Sequence, residues 1–168
     1  MPFTSQRAAS RLLYLPLAQR MPSRKYTAPK TGFLAINSLA FASDGDAGYL
    51  NSPTGGVTSN PVGCFSTGVN LPEGAKVTRL ELWGTSTAGV FPVINFDREN
   101  HKTGTLEVIS TGHLTDTSGA YKPFLITLTS TKTTIDNRDY RYGLSGCVDQ
   151  TSTVRGARIT YTYTNAGD

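Results

Sequence analysis

LPEGAKVTRLELW, residues 71–83, is the stretch that decides the fold class. Pro72 and Gly74 mark a turn, after which Thr78, Leu80 and Leu82 alternate with Arg79 and Glu81. A period of two belongs to a β-strand with one face in a core and the other in solvent. The alternation predicts Thr78, Leu80 and Leu82 inward.

The same grammar of short alternating runs between turn residues continues in both directions. In residues 90–96, Val90, Ile94 and Phe96 share one parity and Phe91, Val93 and Asn95 the other. Pro92 lacks the amide that a central ladder needs, which predicts an edge strand or a bulge there. Asp97, Arg98, Glu99, Asn100 and His101 read as a charged turn, and residues 106–110 as a short strand with Leu106 and Val108 inward. Phe124, Ile126 and Leu128 define the next inward face, and Tyr140, Tyr142 and Leu144 the one after. In the last strand Ala157, Ile159, Tyr161 and Tyr163 alternate with Arg158, Thr160, Thr162 and Thr164, an apolar stripe backed by a threonine ladder. Upstream, TGFLAINSLAFA, residues 31–42, reads as the first strand. A loop rich in Gly, Pro, Asn and Ser follows, with Tyr49 and Leu50 as a short strand inside it.

Seven or eight short strands separated by turn signals predict an all-β antiparallel sandwich, jelly-roll-like in topology, preceded by an extended N-terminal arm. A chain of 168 residues can bury one core. Its 38% hydrophobic and 17% charged content, filled out with Thr, Ser, Gly, Asn and Tyr, suits strands and turns. No apolar run reaches about 18 residues, the length that would signal a membrane-spanning helix.

The net charge of +4 is unevenly placed. Residues 1–30 hold Arg7, Arg11, Arg20, Arg24, Lys25 and Lys30 with no acid, whereas residues 31–168 hold ten bases against twelve acids. The expected division is therefore a basic arm or leader, 1–30, and a sandwich domain, 31–168. Within the arm, Leu12, Leu13, Tyr14, Leu15 and Leu17 form the only apolar cluster, broken by Pro16, which is too short for a secretory signal. An Arg- and Ser-rich, acid-free leader also fits an organelle transit segment or a disordered tail. The reading adopted is an assembly arm, able to reach about 100 Å when stretched and to add to the sheet edge of a neighbouring copy.

VNLPEGAKVTRLELWG (residues 69–84), TTIDNRDYRYGLSG (133–146) and VRGARITYTYT (154–164) together resemble small uncharacterised exported bacterial β-sandwich domains. In those, a Leu-Pro-x-Gly turn leads into a strand, Ile-Asp-Asn precedes a Tyr-rich strand, and a Gly-x-Arg-Ile-x-Tyr strand closes the domain. The resemblance spans residues 33–164 and implies a fold. It carries no catalytic residues, and the basic arm stands where such domains have a signal peptide.

Residues suited to chemistry are few. His101 and His113 are the two histidines, neither with a Cys, Asp or Glu at metal-ligand spacing. Asp44 and Asp46 have the spacing that opens a calcium loop, but the later ligands are missing, so a turn is the plainer reading. Asp97 and Glu99 read as solvated turn carboxylates rather than a glycosidase pair. No nucleophile elbow or phosphate-binding loop occurs, and the chain is read as non-enzymatic. Cys64 and Cys147 are the two cysteines. They form either a bridge tying the early half of the sandwich to the late half or two free buried thiols. The bridge is the reading adopted, and it goes with an oxidising compartment.

The function expected on these grounds is a structural subunit of an extracellular or cell-surface filament, appendage or shell, partnered by copies of itself through the arm. The alternative is a secreted carbohydrate-binding or adhesive module, in which Trp83, Tyr121 and Tyr140 stack on glycan rings. A third reading is a virion coat protein whose arm neutralises nucleic acid; the nearly neutral body offers nucleic acid no other footprint.

Overall fold

A computed structural model describes residues 24–45, 50–52, 55–88, 92–128 and 130–166. Among the described residues eleven strands appear in order: β1 (Arg24–Asn37), β2 (Ala42–Ser43), β3 (Leu50–Ser52), β4 (Gly56–Thr58), β5 (Val62–Val69), β6 (Lys76–Ser86), β7 (Val93–Asn100), β8 (Leu106–His113), β9 (Lys122–Ile126), β10 (Tyr140–Asp149) and β11 (Ser152–Ala166). They form an antiparallel sandwich of two sheets. Sheet A runs β3-β4-β11-β6-β9, with β1 also paired to β11, and sheet B runs β2-β5-β10-β7-β8.

The alternation read from the sequence places the core. Leu80, Leu82 and Ile159 from sheet A and Ile94, Phe96 and Leu144 from sheet B are fully enclosed between the sheets. Tyr161 is only partly buried at the end of that core, its ring lying where a side chain at Gly32 would sit. Gly112 on β8 serves a different closeness: a Cβ there would stand 2.4 Å from Cγ1 of Ile126 on β9, so glycine lets the two sheets meet along that seam.

Three inward assignments change, each through register. Thr78 is exposed, because the β6–β11 register steps from Arg79↔Thr160 to Val77↔Tyr161 and leaves Thr78 as the extra residue of a bulge. Val77 takes the core position in its place. Leu106 and Val108 face outward, because a second register step, between Phe96 and Asp97, makes Ile109 the extra residue of β8 and turns Ile109 and Ser110 inward. The strand after Pro92 is not an edge: β7 is paired on both sides, with β10 and β8, and the proline stands just before it where no ladder amide is needed. Asp97, Arg98, Glu99 and Asn100 belong to β7 rather than to a turn.

The residues behind the family resemblance hold two loops together. Gly74 supplies a left-handed φ of 72° in the turn before β6, and its amide donates to Ile135 O at 2.9 Å. Asn137 Nδ2 donates to Leu71 O at 2.9 Å, and the Tyr142 hydroxyl accepts from Asp136 N at 2.9 Å. Cys64 and Cys147 are bonded, facing each other directly in the β5–β10 register with Cα atoms 4.0 Å apart. Of the arm residues, Arg7, Arg11, Leu12, Leu13, Tyr14, Leu15, Leu17 and Arg20 lie outside the described residues. Arg24 and Lys25 open β1, opposite Ala166 and Asn165. Among the described residues no helix is long and apolar enough to cross a membrane.

Candidate functional site

The outer face of sheet B carries a cleft of about 470 Å³. Its floor is backbone. Gly68 of β5 and Gly143 of β10 are opposite each other in the register, and a Cβ added at Gly68 would meet no heavy atom within 4 Å. A Cβ at Gly143 would stand 3.1 Å from Thr67 O. Two facing glycines thus leave a trough where most strand pairs would stand two side chains.

The walls are polar on one side and apolar on the other. Asp97 and Glu99 project from β7, Arg141 and Ser145 from β10, and Leu106 from β8. Arg141 and Glu99 form an ion pair, and the Glu99 carboxylate raises the Arg141 pKa. Asp97 is the unusual member: it is 4% exposed, yet sits on the outward parity of a sheet. Its Oδ2 accepts a hydrogen bond from Ser145 Oγ, whereas its Oδ1 is buried with no hydrogen-bond partner in the protein. Burial pushes this carboxyl above its ordinary pKa, and the hydrogen bond from Ser145 works against that shift without cancelling it. Asp97 and Glu99 leave the same strand on the same side, and Glu99 is engaged with Arg141.

The aromatic residues singled out as glycan-stacking are not in this cleft. Tyr140 is covered by the Arg98 guanidinium, whose carbon lies 4.0 Å from its ring centre while Arg98 Nη2 pairs with Glu107 at 2.8 Å. Trp83 and Tyr121 are together, on the outer face of sheet A. Trp83 lies opposite Pro123 in the β6–β9 register, and Tyr121 precedes β9 on the same parity, 52% exposed. Phe33 of β1 joins them, 63% exposed. Arg155 lies over the Tyr121 ring at 5.2 Å, and Arg158 over Trp83 at 5.3 Å and Phe33 at 5.9 Å.

His101 and His113 are exposed. Asp44 is exposed as well, Asp46 lies outside the described residues, and among the described residues no three His, Cys, Asp or Glu side chains are grouped to hold a metal. Asp97 could have been found in the sequence only by extending the alternation Asn95, Asp97, Glu99 through what reads as a turn. The glycine pair has no local signal, since Gly68 and Gly143 meet only through strand pairing.

No family model and no curated relative matches the chain. Among solved structures, the C-terminal CBM6 of LamC, a marine laminarinase from Zobellia galactanivorans, is similar over 77% of this chain and 99% of its own, with a TM-score of 0.53 and 19% identity. The CBM22-1 and GH10 modules of the Clostridium thermocellum xylanase Xyn10B, complexed with xylohexaose, align over 82% of this chain and 25% of theirs, with a TM-score of 0.32 and 13% identity. The first of these likenesses establishes a shared sandwich fold with a carbohydrate-binding module.

Proposed function

We propose that the chain is a non-catalytic carbohydrate-binding module, working outside the cell, whose site is the cleft of sheet B. The observation that carries this reading is Asp97 Oδ1, a buried acceptor without a donor beside a floor of two glycines. An unpaired buried carboxylate oxygen costs stability, and a ligand that draws the Asp97 side chain toward the cleft would supply the missing donor from a hydroxyl. The glycine floor lets a sugar ring lie against backbone, Leu106 offers an apolar wall for its C–H face, and Arg141 and Glu99 offer a donor and an acceptor for further hydroxyls. The fold shared with a CBM6 supports the same reading, and the Cys64–Cys147 bridge supports an oxidising location. The assembly reading, with residues 1–30 as a joining arm, has no described residue in its favour.

Calorimetric titration of the full chain with a panel of neutral oligosaccharides tests this. Gly68→Leu, which places a side chain in open cleft space, should lower affinity at least tenfold while stability stays within about 0.5 kcal/mol. Asp97→Asn should weaken binding as well. Because Trp83, the one tryptophan, lies on the opposite sheet, its fluorescence should not respond to a cleft ligand. Absence of binding across the panel, or binding indifferent to both substitutions, overturns the proposal.

A further inference from the structure

We infer that the outer face of sheet A is a second ligand surface, one that takes a polyuronate, a polysaccharide bearing carboxylates along its length. Beyond residue 30 the strands of sheet A contain five Lys or Arg and a single acid, Glu81. That acid shows how the face treats a carboxylate. Glu81 is buried on the outward parity of β6, its Oε1 held by Arg79 Nη2 at 2.7 Å and its Oε2 by Arg158 Nε at 2.9 Å and Nη2 at 2.7 Å. Both arginine side chains remain substantially exposed, Arg79 at 55% and Arg158 at 43%. Arg155 adds a third, resting on Tyr121.

The arrangement selects the kind of polyanion. Phe33 and Tyr121 are exposed and Trp83 is half-buried, and each of the three rings carries a guanidinium over one face, so platforms for stacked bases are partly taken up and recognition falls to the N–H edges of the arginines. Those edges fit planar carboxylates in pairs, as Glu81 already demonstrates. A sheet face with charges and rings side by side suits a stiff polymer whose rings show C–H faces between carboxylates. The glycan class rests on the function proposed above. The surface does not, since it lies on the other sheet and its variants are separate.

The test is titration of the full chain with alginate oligosaccharides, using neutral dextran, dextran sulfate, polyglutamate and oligo-dT as competing probes and Trp83 fluorescence as readout. Alginate should bind with a change in Trp83 emission and weaken linearly in log salt. Arg155→Gln with Arg158→Gln should reduce the salt slope by about one per arginine. Glu81→Gln should do the opposite, tightening binding severalfold, because it frees two guanidiniums from their internal carboxylate. A merely structural role for Glu81 predicts no such gain. Binding unchanged in the arginine variants belongs to the basic residues 1–30 and overturns the inference, as does preference for dextran sulfate, polyglutamate or oligo-dT, or self-association through this face. Loss of neutral-glycan binding in Gly68→Leu with alginate binding intact leaves this inference standing, and the reverse pattern removes it alone.

Discussion

The two sheets of this sandwich share one core and have opposite exteriors. The strands of sheet A hold eight bases and one acid; those of sheet B hold two bases and four acids. Sheet A fills its outer face with rings and guanidiniums locked around Glu81, whereas sheet B omits side chains at Gly68 and Gly143 and hollows out a cleft. One face answers charge and the other answers shape. Within the nearly neutral residues 31–168 sheet A still holds five bases to its one acid, a difference between the sheets that the total conceals.

The covalent bond belongs to sheet B alone, and replacing Cys64 and Cys147 by Ser should produce the largest change. The chain-entropy model gives about 4 to 5 kcal/mol for a closure of this length, measurable by denaturant unfolding. A loss below about 1 kcal/mol would show that hydrogen bonding between β5 and β10 already holds the cleft floor.

The next effect tests the two faces of one strand in sheet A. Ile159→Ala should cost about 2 to 4 kcal/mol, since Ile159 is fully enclosed. Thr160→Ala on the outward side should cost far less, and the reverse order would mean the β11 register is displaced by one.

The smallest effect is a pH dependence confined to sheet B. Because burial raises the Asp97 pKa in the folded state, the native protein binds this proton more tightly than the unfolded chain. The contribution to stability is therefore fully present below the unfolded value of about 3.9 and is lost as pH rises through the folded pKa. The stability of Asp97→Asn relative to the parent should rise with pH across that window and then level off. A flat difference would mean the carboxyl is hydrated in solution.

The core was legible because alternation survives wherever the ladder is regular: Leu80, Leu82, Ile159, Phe124 and Ile126 were all placed by parity. It failed at bulges. One extra residue at Thr78 and another at Ile109 shift the parity beyond them, and nothing in the side chains announces the extra residue. The cysteine pair could be named because only one pairing exists. The cleft was illegible for a different reason. Its floor is made by two glycines 75 positions apart along the chain and its key acid looks solvated until β8 is laid beside it, so the site exists only after pairing. Trp83 and Tyr121 were named as aromatics that could face a glycan; the guanidiniums over them come from β11, and the sequence does not say which arginine meets which ring.

The first and last described strands lie side by side, with Arg24 opposite Ala166. Tension applied between those two ends would fall on the β1–β11 pairs one after another, as a zip opens, rather than on all of them together, so the strands should part at low force. How far the molecule then lengthens is limited by the bond between Cys64 and Cys147, which withholds a stretch with a sequence separation of 83. Pulled in a flowing or crowded medium, such a protein would give way first at its outer strands while β5 and β10 stayed fastened beside the cleft.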